Sequence, residues 1–216
     1  GGRGREGRET QDPARARREL ELSPDRATLL VFGGSQGAKG INQAVPRACA
    51  RLWVKNPDAF QVLHLAGPRD AATVRAAYGR GPARVLEYLE RMELAYGAAD
   101  LVVCRAGAST LAELAALKKP AILVPYPFAA ARHQDANALL LESRGAARVV
   151  AEAGLEERLA GALEDLLLSG ESSSRRGAMA GAFAALGLPP PDRAAEELAD
   201  AVETLAENRS QHPHHQ

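Results

Sequence analysis

The sequence predicts a parallel α/β domain, and three observations carry that prediction. Short apolar runs alternate with helical patterns along most of the 216 residues. The runs are apolar at successive positions, the pattern of strands covered on both faces. Glycine or proline then interrupts the chain after most of them.

The elements follow in order. Residues 1–12 are mostly Gly, Arg and Glu with almost nothing apolar, so they are expected to stay outside the core as a disordered segment or linker remnant. Residues 13–22 predict a short surface helix. Thr28 to Phe32 is a first strand that stops at glycines. Ile41, Val45, Ala48 and Leu52 recur at helical spacing. Phe60 to Ala66 reads as a second strand, ended by Gly67 and Pro68, with a short helix over 69–78. Arg84 to Leu86 and Asp100 to Arg105 give the third and fourth strands. Leu111 to Leu117 is helical, and Ala121 to Val124 is a fifth strand between Pro120 and Pro125.

A helix over 133–143, a sixth strand at Ala147 to Val150 and a helix over 155–168 come next. Leu155, Leu159, Leu163 and Leu166 place one apolar stripe on that last helix. Two further helical stretches are expected near 172–186 and 192–207, separated by Gly187 and the prolines at 189–191. The polar, His-bearing residues 208–216 are expected to be a disordered tail. The predicted organisation is one domain over 13–207 with C-terminal helices, flanked by the two unstructured ends.

Composition narrows the function. The formal net charge is +0, with 46% hydrophobic and 25% charged residues, so the chain can bury a core as one domain. No basic face for nucleic acid is expected. Aromatic residues are only 4%, which argues against base-stacking platforms. No apolar run approaches the roughly 20 residues of a membrane span, and no signal-peptide pattern is read. Cys49 and Cys104 lack metal-ligand spacing and are expected to be buried and reduced. Of the 27 basic residues 23 are Arg, so a catalytic lysine is not the first expectation.

Parallel sheets bind ligands beyond the carboxyl ends of their strands. Chemistry is therefore sought at the strand-to-helix turns. The first turn is Gly33-Gly34-Ser35-Gln36-Gly37-Ala38. Its glycines let backbone approach a ligand, and a helix N-terminus beyond them favours an anion. Ser35 adds a hydroxyl. A plain tight turn capped by Ser35 is the alternative. The loop matches neither the P-loop nor the dinucleotide fingerprint. The second strand ends Leu65-Ala66-Gly67 with no acid for an adenosine ribose, which disfavours NAD.

The fourth-strand turn runs from Arg105 to Glu113. Gly107 and Ala108 are small enough to admit a ligand. Thr110 and Glu113 have capping-box spacing, with Glu113 reaching back to the cap. The functional alternative is that Glu113 accepts hydrogen bonds from a vicinal diol such as ribose. The fifth-strand turn, Pro125-Tyr126-Pro127-Phe128, leads to Arg132-His133-Gln134-Asp135-Ala136-Asn137. That group is either an ordinary polar helix start or a set of neutral donors and acceptors for sugar hydroxyls. His133 has no second ligand four residues on, so no metal is expected, and no organic cofactor is called for.

These three turns together resemble the MurG-type transferases of bacterial cell-wall synthesis. The resemblance rests on LLVFGGSQGAKGINQAVP at 29–46, VLEYLERMELAYGAADLVVCRAGASTLAELAALKKPAILVPYPFA at 85–129 and RHQDANALLLESRGAA at 132–147, and covers about residues 25–205. Members move N-acetylglucosamine from UDP-N-acetylglucosamine to lipid I, forming lipid II with inversion, for peptidoglycan synthesis and hence cell shape and division. The resemblance implies the C-terminal, donor-binding half of a two-domain GT-B fold, a Rossmann-like six-stranded parallel sheet with helices on both faces.

The resemblance also implies residue roles. Ser35, within the loop of Gly33, Gly34, Gln36 and Gly37, would contact the diphosphate. Leu89 would meet uracil through its backbone. Ala108, Ser109 and Thr110 would line the diphosphate and sugar pocket. Glu113 would hold the ribose, Gln134 with His133 beside it would bind the sugar hydroxyls, and Asn137 would support their loop. Arg5 is the nearest match to the family's arginine after the interdomain linker, though its context lacks the family's Pro-Val.

The family's N-terminal half, with its acceptor site and membrane-facing patch, has no counterpart in these residues. Inverting transfer needs a base, and no catalytic residue is nominated here; His64 lies in a strand pattern and is expected to be structural. Lipid I would be met through an N-terminal domain or a separate partner half, and the chain alone would be inactive. The complete enzyme would be cytoplasmic and peripheral on the inner membrane. The alternatives are a non-catalytic nucleotide-sugar binding module, one half of a split two-chain glycosyltransferase, or a related epimerase.

Overall fold

A computed structural model describes residues 12–33, 38–128, 132–186 and 193. The expected helix over 192–207, apart from residue 193, and both expected disordered ends, apart from residue 12, lie outside the described residues.

Fourteen elements are described in chain order. They are α1 (Pro13–Glu19), β1 (Ala27–Phe32), α2 (Lys39–Lys55), β2 (Phe60–Leu65), α3 (Ala71–Tyr78), β3 (Ala83–Leu86) and α4 (Met92–Ala98). The second half holds β4 (Leu101–Cys104), α5 (Ala108–Leu117), β5 (Ala121–Leu123), α6 (Arg132–Ser143), β6 (Ala147–Val149), α7 (Leu155–Leu163) and α8 (Ser172–Ala185). A π-helical turn at Glu164–Leu168 continues α7. All six predicted strands are present. The addition is α4, a seven-residue helix that the sequence pattern does not announce.

The strands form one parallel sheet in the order β3-β2-β1-β4-β5-β6. The chain winds outward from β1 to β3, returns to β4 beside β1, and winds outward again. The connections reverse direction between β1 and β4, and a crevice opens at such a switch point beyond the carboxyl ends.

Alternation along each strand separates two cores. Leu29, Val31, Val62, Val103 and Ile122 point to one face and pack with α2, α3 and α7. Leu30, Leu63, Val102, Cys104 and Leu123 point to the other and pack with α1, α4, α5 and α6. The sheet is thus covered on both faces, which is why its strands read as uninterrupted apolar runs. Near its end the chain serves both layers, since α8 contributes Met179 to the first core and Phe183 to the second. Both cysteines are fully buried and free, and burial pushes both thiols up, away from thiolate chemistry.

Two local features go against simple propensity. Helix α2 contains Pro46, which removes one backbone hydrogen bond and costs about 3 kcal/mol in a helix interior. The helix holds because it buries Ile41, Val45, Leu52 and Trp53, and each large apolar side chain contributes roughly 1.5–3 kcal/mol on burial. Helix α1 is the short surface helix expected, with Pro13, Arg15, Arg18 and Glu19 exposed, but it buries one face. Asp12 caps it through Ala14 N–H at 3.1 Å, yet Ala16, Arg17, Leu20 and Leu22 are buried. Arg17 is tolerated inside because its donors are used. It reaches Ala98 O at 3.0 Å, Pro24 O at 2.9 Å and Asp100 Oδ2 at 2.8 Å. Asp100 also accepts the Thr28 N–H at 2.8 Å, so the pair ties α1 to the entry of the sheet.

Candidate functional site

A cleft of about 900 Å³ lies at the carboxyl ends of the strands. All six strand exits contribute to its lining: Gly33 after β1, Gly67 to Asp70 after β2, and Glu87 to Leu89 after β3. Arg105 follows β4, Tyr126 to Phe128 follow β5, and Glu152 follows β6.

The first turn is built by close packing. A Cβ on Gly33 would lie 2.0 Å from the Cβ of Ala38, so only glycine lets the loop close on the start of α2. The space that Gly33 leaves is used by Ala38. Gly34, Ser35, Gln36 and Gly37 lie outside the described residues, as does Arg5.

The exits of β4, β5 and β6 are joined by one charged residue. The Arg105 side chain is 5% exposed and meets Glu152 Oε2 at 2.5 Å. It also donates to Val124 O and Pro125 O, each at 3.4 Å, and its guanidinium lies 5.3 Å from the Tyr126 ring centre. The Glu152 carboxylate rests against the first turn of α2, where a Cβ on Gly40 would lie 1.7 Å from Oε1. Gly40 is therefore the residue that admits Glu152.

On the β2 side, a buried polar chain links α2 to the cleft wall. Asn42 Nδ2 donates to Ala66 O at 3.0 Å and Asp70 Oδ2 at 2.9 Å. Its Oδ1 is then the acceptor facing His64 Nε2 at 2.8 Å. That fixes the His64 proton on Nε2 and leaves Nδ1 to accept from Tyr78 OH at 2.8 Å. Burial pushes the His64 pKa down to about 3, so the ring stays neutral. His64 is structural, and its neighbours Ala66 and Asp70 line the cleft.

The remaining predicted residues fall as follows. Leu89 and Gly33 line the cleft directly. Ala108, Ser109 and Thr110 form the first three positions of α5, immediately beyond the β4 exit. The capping box does not form: α5 begins at Ala108 behind Gly107, which makes no side-chain cap bond, so Thr110 is already inside the helix. Glu113 instead accepts a hydrogen bond from Tyr96 OH at 2.7 Å. Burial, then the bond to Glu113, push the Tyr96 hydroxyl up, so it remains protonated. Tyr96 packs edge-on to Phe32, a cleft residue, at 6.1 Å.

On α6, Gln134 and Asn137 are both buried. Gln134 Oε1 accepts the Tyr126 N–H at 2.9 Å, which pins the loop after β5 and leaves the amide NH2 as its other polar group. Asn137 Nδ2 points to Ala106 O at 3.5 Å. The position of the His133 side chain lies outside the described residues. Among the described residues, no group of His, Cys, Asp and Glu is arranged to hold a metal ion, and no helix is long and apolar enough to cross a membrane.

Residues 28–205 match the glycosyltransferase family 28 C-terminal domain, most of the chain. The chain belongs to that family. Among its curated relatives is the UDP-N-acetylglucosamine--N-acetylmuramyl-(pentapeptide) pyrophosphoryl-undecaprenol N-acetylglucosamine transferase of Anaeromyxobacter sp. strain Fw109-5. It is 45% identical over 193 residues, covering 88% of this chain and 49% of that protein. The protein of the same name from Elusimicrobium minutum is 39% identical over 187 residues, covering 85% and 50%. The chain therefore spans about half the length of these relatives. The crystal structure of Acinetobacter baumannii MurG matches with a TM-score of 0.66 at 28% identity, over 91% of this chain and 54% of that one. WaaG, a glycosyltransferase involved in lipopolysaccharide biosynthesis, has a TM-score of 0.57 at 17% identity, over 89% and 51%, and shares the fold alone. The expected architecture, a Rossmann-like half of a GT-B glycosyltransferase, is the one observed.

The sequence reading passed over three contributors to the site. Tyr96 lies on the unpredicted α4. Arg105 stood in a quoted motif without a role. Glu152 belongs to no motif and acquires its place only through the fold.

Proposed function

We propose that this chain is the donor-binding half of an N-acetylglucosaminyltransferase that converts lipid I to lipid II. One observation carries the reading: the chain is 45% identical over 193 residues to a transferase of that name, along about half of its length. The switch-point cleft supports it, because parallel sheets of this kind take ligands at that place and the start of α2, which lines the cleft, suits phosphate.

In this reading Ser35 and the starts of α2 and α5, including Ala108 to Thr110, receive the diphosphate. Leu89 meets uracil and Glu113 the ribose diol. Gln134, whose carbonyl is engaged by Tyr126, offers its NH2 to a sugar hydroxyl beside His133, while Asn137 supports the β4 exit. The acceptor and the base for inverting attack belong to an N-terminal half or partner chain, and the assembled enzyme works at the cytoplasmic membrane face. The domain organisation over 13–207 belongs to the same proposal.

Titration calorimetry with UDP and UDP-N-acetylglucosamine tests the donor site. Binding of both, with the sugar nucleotide contacting Gln134, is the expected result. No heat with either at millimolar concentration sinks the reading. Transfer to a lipid I analogue is expected only after an N-terminal half is supplied, and turnover by the chain alone contradicts the half-enzyme reading.

A further inference from the structure

We infer that Tyr96 is the positioning residue for the Glu113 carboxylate, so that Tyr96 sets how a vicinal diol is held although it makes no ligand contact itself. The inference rests on the proposal that Glu113 receives the ribose. Among the described residues, Tyr96 is the only side chain hydrogen-bonded to Glu113. The geometry is rigid on the donor side. Tyr96 is 3% exposed, and its ring is held edge-on by Phe32 and within the core of α1, α4 and α5. Its hydroxyl stays protonated and so always donates.

Glu113 itself is only half-buried, on the first turns of α5. A glutamate there has three side-chain torsions to fix before both oxygens can face a diol, and each freely rotating torsion weakens binding through lost entropy. The Tyr96 hydroxyl takes Oε2 and fixes the plane of the carboxylate before a ligand arrives. Diol recognition by two adjacent hydroxyls needs that plane, because both donors must meet lone pairs at once. The hydroxyl of Tyr96 thus gives ribose recognition its preorganisation, while the ring gives α4 its packing. The two contributions can be separated.

The test is a coupling measurement on the full chain. Titrate UDP and 2′,3′-dideoxy-UDP into the wild type, Tyr96→Phe, Glu113→Ala and the double variant. Tyr96→Phe should weaken UDP about five- to ten-fold, as expected when one charge-assisted bond stops orienting its acceptor. It should leave dideoxy-UDP unchanged. In the Glu113→Ala background the same substitution should change neither ligand. Equal weakening of both nucleotides, additive losses in the double variant, or no change with UDP would each overturn the inference and leave Tyr96 a packing residue. A wild type that binds both nucleotides equally instead rejects the ribose role of Glu113, a separate failure that takes this inference with it. If Tyr96→Phe does not fold, 3-fluorotyrosine at position 96 keeps the ring and changes only the donor. A shift in UDP affinity without a shift in dideoxy-UDP supports the inference, and no shift in either overturns it.

Discussion

Arg105 and Glu152 meet at 2.5 Å on the floor of the cleft, one nearly sealed from water and the other about a quarter exposed. The pair couples the exits of β4 and β6, and through Pro125 the exit of β5. Removing one partner from such a pair takes away an attraction that offsets the burial of the other charge, which costs more than the pair itself contributes. Glu152→Ala is therefore expected to destabilise the chain by about 2–3 kcal/mol, the low end of such losses because Glu152 is partly solvated. Replacing both residues by methionine should cost less than Glu152→Ala alone. Urea denaturation of the three chains checks the order.

Gly40 and Glu152 should behave as one unit. The Cβ of Gly40→Ala would collide with the Glu152 carboxylate, a flexible tip that yields by leaving Arg105. The expected result is destabilisation by about 1–3 kcal/mol in the wild type. In a Glu152→Ala background the same change should be neutral or mildly favourable, because alanine is the better helix former. Additive effects in the double variant would contradict the contact.

The neutral His64 predicts a pH dependence of definite sign. Its folded pKa lies near 3, below the usual 6.5, because burial disfavours the cation. The unfolded chain therefore binds more protons between those values. Stability from this residue is fully present above pH 6.5 and is lost as pH falls towards 3, at up to about 1.4 kcal/mol per pH unit. Denaturation midpoints at pH 7, 6 and 5 should fall more steeply in the wild type than in His64→Leu, which cannot titrate. Parallel slopes would refute this account.

Arg17 anchors α1 through four groups: three acceptors and, through Asp100, the Thr28 N–H. Arg17→Ala should cost about 3 kcal/mol by stranding a partly buried Asp100 and releasing α1. Arg17→Lys should recover little, because an ammonium cannot span three acceptors in different directions. Thermal unfolding distinguishes the two substitutions. Equal stability of Arg17→Lys and the wild type would show that the fork geometry is unimportant.

What could be read from the chain follows from what is local. The six strands announced themselves because a doubly covered sheet writes consecutive apolar residues such as Leu101 to Cys104. The stripe from Leu155 to Leu166 likewise marked its helix. Helix α4 escaped because seven residues do not complete two turns, and Leu94, Ala95, Tyr96 and Ala98 are all buried, so no face stands out. Thr110 and Glu113 misled for a related reason. Their spacing fits a cap, but the helix starts three residues earlier, at Ala108, and a tyrosine from another helix claims the carboxylate. Arg17, Arg105 and Glu152 are charged, and burial of charge is decided by partners far away in the chain. Local pattern carries no trace of such partners. The turns beyond β1, β4 and β5 lie together at one edge of the sheet because a parallel sheet has only one edge where strands feed helices.

That edge has a thermodynamic consequence. Since every strand exit borders the same cleft, a ligand filling it acts as a clamp across the whole width of the sheet, including the short outer strands β3 and β6. Occupancy at a hundred times the dissociation constant adds about 2.7 kcal/mol to the folded state. Shared by all six strands, that gain slows the fraying of the edges as well as global unfolding. Amide exchange at Arg148 and Val149, on the outermost strand, is then a reporter of binding at the centre of the crevice.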